Sequence, residues 1–182
     1  MNIVRWYALY TRARFEKKVS EELTDRGYEP WLPMQTVIRE WSDRKKKVQV
    51  PLFSGYVFLR SHKNKLREAV TVNGVARAVM FNGEPAVIRE DQIELIRKVL
   101  EGPDAFEVKE KNFTKGEPVL VEYGPLKGCC GLWLRWKGKK RVCIQLEQLK
   151  KSIIVEVPAA YVTRLNTESE FENYSTIAGI PG

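Results

Sequence analysis

The nine residues Leu52-Phe53-Ser54-Gly55-Tyr56-Val57-Phe58-Leu59-Arg60 constrain the fold more than any other part of the chain. Successive side chains of an extended segment point to opposite faces. Tyr56 and Phe58 therefore share one face, and Phe53, Val57 and Leu59 share the other. With both faces apolar, the strand has to be central in a sheet and covered twice. Trp6-Tyr7-Ala8-Leu9-Tyr10 reads as a second strand. Phe15, Val19 and Leu23, at four-residue spacing among charges, predict an amphipathic helix over residues 14–26 that Gly27 closes. Residues 28–40 read as an extended stretch interrupted by Pro30 and Pro33, and Arg44-Lys45-Lys46-Lys47 as a hairpin tip before strand character resumes. A helix near 63–71, a strand over 76–81 and a helix carrying Ile93, Leu95, Ile96, Val99 and Leu100 complete the first hundred residues. The order β-α-β-β-α-β-α predicts an α+β sandwich with an antiparallel sheet.

Gly102-Pro103 cannot continue a helix and stands in a mostly charged stretch, so residues 101–112 read as a linker after a domain of residues 1–100. Short strands at regular spacing follow, over 118–122, 131–136, 141–146, 153–157 and 161–165. Turns are signalled at Gly124-Pro125, Lys127-Gly128 and Lys137-Gly138-Lys139. Residues 113–165 therefore predict a small SH3-like β-barrel, closed so that short strands leave no bare edge. The polar tail 166–182 is expected to be loosely held.

Charge limits the function. The chain has 31 Lys+Arg against 23 Asp+Glu, and residues 1–100 hold 19 of those cations against 12 acids. The basic excess thus belongs to the first half. It gathers at Arg12, Arg14, Lys17 and Lys18 and at Arg44, Lys45, Lys46 and Lys47, either as a solvated surface or as contacts to a nucleic acid. One histidine, His62, cannot make a two-His metal site. Cys129, Cys130 and Cys143 have neither C-x-x-C nor zinc-ribbon spacing and read as buried small hydrophobes. No nucleophile, phosphate-loop or dinucleotide motif is present, so no enzyme, metal or cofactor is expected. No apolar run reaches the roughly 18 residues of a membrane span. The N-terminus lacks the blocks of a signal peptide, and a cytoplasmic protein is expected. Tyr10, Tyr56, Phe58 and Phe81 are either plain core or the lining of an aromatic concavity where a protein docks; the pattern leaves both open.

Trp6-Tyr7-Ala8-Leu9-Tyr10, the helix after it and Pro51-Leu52-Phe53-Ser54-Gly55-Tyr56-Val57-Phe58-Leu59 resemble the N-terminal (NGN) domain of the NusG family, with Ser54 where that family usually has proline. Gly116-Glu117-Pro118-Val119, then Gly124-Pro125-Leu126-Lys127-Gly128 and Gly131, resemble a KOW motif. The resemblance spans residues 5–165. It implies a monomeric transcription elongation factor whose first domain docks the clamp helices of the largest RNA polymerase subunit, through Tyr10, Phe53, Tyr56, Phe58 and Phe81. It also implies that the cations at 12–18 and 44–47 lie along the non-template DNA strand. The KOW domain, with its motif residues Gly124, Pro125, Lys127, Gly128 and Gly131, would meet Rho or ribosomal protein S10. Leu32-Pro33-Met34 and the stretch 81–88 are similar to the specialised UpxY and RfaH types, which antiterminate long operons such as those for capsular or surface polysaccharides. The segment 63–67 lacks the His-Thr-Thr signature of RfaH. Glycines and prolines at 124, 125, 128, 131, 138 and 158 oppose a helical refolding of the second domain, so a permanent barrel is expected. The alternative is a general RNA- or ribosome-binding KOW protein, which needs only a basic barrel surface.

Overall fold

The structure is a computed structural model that describes residues 3–102, 106–109 and 116–166. The chain falls into two compact units that divide between Ile88 and Arg89. This division precedes the sequence boundary at 100/101 and assigns the third helix to the second unit.

The first unit is built on an antiparallel sheet. Strand β1 (Val4–Thr11) leads into helix α1 (Glu16–Asp25), then come β2 (Glu29–Trp31), β3 (Met34–Glu40), β4 (Lys45–Pro51) and β5 (Tyr56–His62). After a 3-10 turn follow the short helix α2 (Leu66–Ala69) and strands β6 (Val75–Ala78), β7 (Met80–Phe81), β8 (Glu84–Pro85) and β9 (Val87–Ile88). The sheet order is β2-β5-β1-β6, with β9 also on β1; β3–β4 and β7–β8 are separate two-stranded hairpins. As expected, β5 is central and apolar on both faces. Tyr7, Leu9, Val57 and Leu59 pack with Val19 and Leu23 of α1 and with Leu66, Ala69 and Val72. Each valine or leucine among them taken fully from water contributes roughly 1.5–3 kcal/mol.

Gly27 ends α1 with φ 79°. Its N–H donates to the Thr24 carbonyl at 2.9 Å and that of Tyr28 to the Leu23 carbonyl at 3.0 Å, which is the paired Schellman closure. Phe53 departs from its expected face. Residues 52–55 form a turn, with Gly55 at φ 78° and the Tyr56 N–H donating to the Phe53 carbonyl at 3.3 Å. Alternation therefore begins only at Tyr56, and Phe53 packs against the Phe58 ring.

The second unit starts with helix α3 (Glu90–Glu101), followed by β10 (Phe106–Lys109), β11 (Glu117–Val121), β12 (Cys130–Trp136), β13 (Lys139–Leu146), β14 (Lys151–Val155) and β15 (Val162–Arg164). The last five lie within two residues of their predicted positions. They pair antiparallel in the order β10-β14-β13-β12-β11-β15. Two sequence expectations change here. Part of the expected linker, β10, is a strand, paired from Phe106↔Val155 to Lys109↔Ser152. Among the described residues the sheet is an open path rather than a closed barrel, because β10 covers the edge of β14 that closure would otherwise hide. The expected tail lies outside the described residues beyond Asn166.

Glu107 ties β10 to the β12–β13 hairpin. It accepts from Lys137 Nζ at 2.9 Å, Arg141 at 3.1 Å and the Trp136 indole at 3.4 Å, and Lys109 Nζ stands 3.3 Å away. Led by the Lys137 hydrogen bond, these donors lower its pKa from 4.5 to about 2. A depressed carboxylate stabilises above its unfolded value, and that stabilisation disappears as pH falls through the folded one. Allowing for solvent screening, Glu107→Gln should cost roughly 1–2 kcal/mol at pH 7. The gap to wild type should shrink toward zero near pH 2. Urea unfolding across that range checks this, and a gap independent of pH would refute it.

Candidate functional site

The five aromatic residues expected to form a docking surface occupy three environments. Tyr10 and Tyr56 are cross-strand partners on β1 and β5. Their ring centres are 4.6 Å apart, and the Tyr56 hydroxyl donates to the Tyr10 hydroxyl at 2.8 Å. On β6, Arg77 stands opposite Tyr10, with its guanidinium 5.0 Å from the ring centre. Tyr10 is thus held between a second tyrosine and a cation while staying half-buried. Tyr56 is buried, at 6% exposure.

Phe53 and Phe58 line no surface, with 1% and 0% exposure. They pack edge to face at 5.9 Å, Phe58 also meets Trp31 at 5.5 Å, and Trp31 meets Trp6 at 6.2 Å. Four rings from β1, β2, the turn before β5 and β5 itself make a continuous aromatic core. Phe81 stands apart from these ring pairs, half-buried on β7 before the turn Asn82-Gly83. Both turn residues have positive φ, 50° and 81°, as a type I′ turn requires. Val79 donates its N–H to the Ala8 carbonyl at 2.8 Å, so the β7–β8 hairpin leaves the sheet at the edge carrying Arg77. Its Met80 is exposed. Met80 was not among the sequence candidates, although Asn82-Gly83 after it signals the hairpin that carries it.

All eight cations singled out by sequence are exposed. The β3–β4 tip is Trp41 to Arg44, whose N–H groups donate to each other's carbonyls at 2.8 and 3.3 Å, rather than residues 44–47. Ser42 and Asp43 supply the turn. Lys45, Lys46 and Lys47 are left extended opposite Glu40, Arg39 and Ile38. Lys45 pairs with Glu40 at 2.6 Å. At the ribbon's base is a cleft of about 540 Å³ lined by Arg14, Lys17, Arg39, Val50 and Ser54 among others. Glu16 also lines it, and its carboxylate accepts the Gly55 N–H at 2.8 Å. Arg39, absent from the sequence reading, lies in the cleft and opposite Lys46, so it joins the two basic clusters into one cationic surface. Lys18 points elsewhere, over the Phe15 ring.

In the second unit, Gly124 and Gly128 carry the positive φ of the turn between β11 and β12, and the Gly128 N–H donates to the Val121 carbonyl at 2.7 Å. Pro125 and Lys127 are exposed on that turn, and Gly131 is buried in β12. Cys130 and Cys143 are buried and Cys129 half-buried, and burial raises the Cys129 and Cys130 thiols to about 11. Among the described residues no helix is long and apolar enough to cross a membrane.

A half-open tyrosine and a cationic ribbon thus stand on one sheet unit, and a small β-unit follows it. The family described as "Transcription termination factor nusG" matches residues 4–97. The chain belongs to this NusG family, whose members are transcription factors rather than enzymes. In fold it is similar to NusG of Thermotoga maritima, solved as "Domain interaction in Thermotoga maritima NusG". That match has a TM-score of 0.52 and 22% identity, covering 90% of this chain and 98% of the other. It also matches the "MjSpt4:Spt5 complex conformation A" with a TM-score of 0.31 and 19% identity, over 88% of this chain and 97% of that one.

Proposed function

We propose that this transcription elongation factor binds RNA polymerase at the clamp helices of its largest subunit and promotes read-through of long operons, as the UpxY and RfaH types do for capsular and surface polysaccharide genes. The observation that carries the reading is Tyr10. It is an aromatic ring held half-open on a rigid sheet by Tyr56 and Arg77, beside a hairpin that offers Phe81 and Met80. A preorganised aromatic with an apolar neighbour is the usual make-up of an interface anchor. Tyr56 holds Tyr10 in place, and Phe53 and Phe58 belong to the aromatic core of the same unit. The cationic ribbon and cleft run along the non-template DNA strand, mostly against phosphates. The six-stranded sheet serves as the KOW module for Rho or ribosomal protein S10, within a protein that acts in the cytoplasm as a monomer.

Transcription with purified polymerase on a template with a long leader tests this directly. Added protein should lengthen transcripts, and lack of effect beside tight RNA or ribosome binding would sink the proposal. For the DNA contact, exchanging Lys45, Lys46 and Lys47 together for glutamate should weaken single-strand binding and flatten its salt dependence. About 0.7 is lost from the log–log slope for each phosphate contact removed. An unmoved slope would make the run a solvated surface.

A further inference from the structure

We infer that Trp41 is a stacking platform for one unpaired base of single-stranded DNA, at the outer end of a cationic track that begins in the Arg14–Lys17–Arg39 cleft. The inference rests on the nucleic-acid reading above and adds to it the residue that receives a base. Trp41 is 60% exposed at the apex of a two-stranded ribbon, and Ile38, three residues earlier on β3, is 64% exposed. A ribbon of two strands gains little stability from an indole left mostly in water. The position is nonetheless rigid, since Trp41 and Arg44 close the turn with reciprocal backbone hydrogen bonds at 2.8 and 3.3 Å.

Charge favours a nucleic acid over a protein partner. Residues 39–47 carry Arg39, Arg44, Lys45, Lys46 and Lys47 against the carboxylates of Glu40 and Asp43. Lys45 spends its charge on Glu40, whereas Arg39 and Lys46 face each other as like charges, an arrangement that an intervening phosphate would relieve. Lys47, Lys46 and Lys45 occupy the outer half of the ribbon, which runs about 10 Å from Lys47 to Arg44 at the usual rise of a strand, and Arg39 links them to the cleft. Cations that follow a backbone and end at a free aromatic face are the elements of single-strand binding, because every base offers a face to stack and a duplex hides it.

The test uses the full chain, a fluorescent oligothymidine of about 12 nucleotides and a duplex of the same length, read by anisotropy across salt concentrations. Trp41→Ala should bind the single strand about tenfold more weakly, within the range measured for base–aromatic stacking. Its salt slope and melting temperature should be unchanged and its duplex binding nearly so. Trp41→Phe should keep most of the affinity, and Arg39→Gln should lower the slope by about 0.7. Unchanged single-strand binding by Trp41→Ala, with the lysine reversal still effective, overturns the stacking site and leaves the DNA reading standing. Equal losses on duplex and single strand overturn it too, as does a loss confined to polymerase capture, which would mark Trp41 as a protein contact. Failure of the wild-type chain to bind either DNA at low salt overturns both readings together.

Discussion

Exchanging Tyr10 and Phe81 for alanine is expected to weaken capture of RNA polymerase at least about 30-fold, the effect of losing a single strong interface anchor. Both side chains are half-buried, so truncation removes accessible aromatic surface and leaves the aromatic core intact. The melting temperature should fall by only a few degrees. Tyr56 is a different case. At 6% exposure its truncation leaves a cavity in the sheet, and large aromatic-to-alanine exchanges in cores cost about 3–5 kcal/mol. An alanine pair at Tyr10 and Tyr56 would therefore confuse lost binding with lost folding, whereas Tyr56→Phe keeps the ring and removes the 2.8 Å hydrogen bond that orients Tyr10. The expected order of affinity for immobilised polymerase is wild type, then Tyr56→Phe, then the Tyr10/Phe81 variant. Wild-type affinity in a folded Tyr10/Phe81 variant would remove Tyr10 and Phe81 as the docking surface.

The parts of the fold governed by periodicity were legible in the sequence. The two-faced β5, the α1 stripe of Val19 and Leu23 with its glycine closure, and the short strands of the second unit all follow from side-chain alternation and turn chemistry. What escaped depended on a local turn or on contacts between residues distant in the chain. Phe53 changed face because Gly55 turns the chain just before β5, and alternation cannot be counted back through a residue at φ 78°. The strand β10 was hidden because Phe106-Glu107-Val108-Lys109 is too short and too charged to announce itself. Its partners, Ser152 to Val155 for the backbone and Lys137 and Arg141 for Glu107, come some 30 or more residues later. At the candidate site the residue types were legible, but not their accessibility. Five aromatics stood as candidates, and burial leaves Tyr10 and Phe81 as the partly exposed ones. Arg39 and Trp41 looked like members of an ordinary strand and turn until the β3–β4 register set one opposite Lys46 and the other at the tip.

Gly131→Ala is expected to be the most damaging small substitution in the second unit, costing about 3 kcal/mol or more. The glycines of the Gly124–Gly131 motif do two different jobs. Gly128 has φ 85° and open space around the position of a Cβ, so alanine there meets only the left-handed backbone penalty of about 1–2 kcal/mol. Gly131 sits within β12, next to the pair Leu132↔Cys143. A Cβ on it would lie 2.7 Å from the Cys143 carbonyl oxygen and 2.7 Å from Val142 Cγ1. Neither neighbour can retreat cheaply. Val142 is wholly buried, and the Cys143 carbonyl belongs to a strand paired on both sides, with β12 and with β14. Relief has to come from separating β12 and β13, and overpacking of that kind costs about 1–3 kcal/mol even without disturbing a sheet. Urea unfolding of the two variants gives the comparison. A larger loss at Gly131 than at Gly128 marks the motif's last glycine as a requirement of strand packing, and the reverse order would make turn conformation the controlling feature. In the expected case that glycine needs no binding role to account for its place in the motif, and contacts with a partner of the second unit would fall to exposed turn residues such as Pro125 and Lys127.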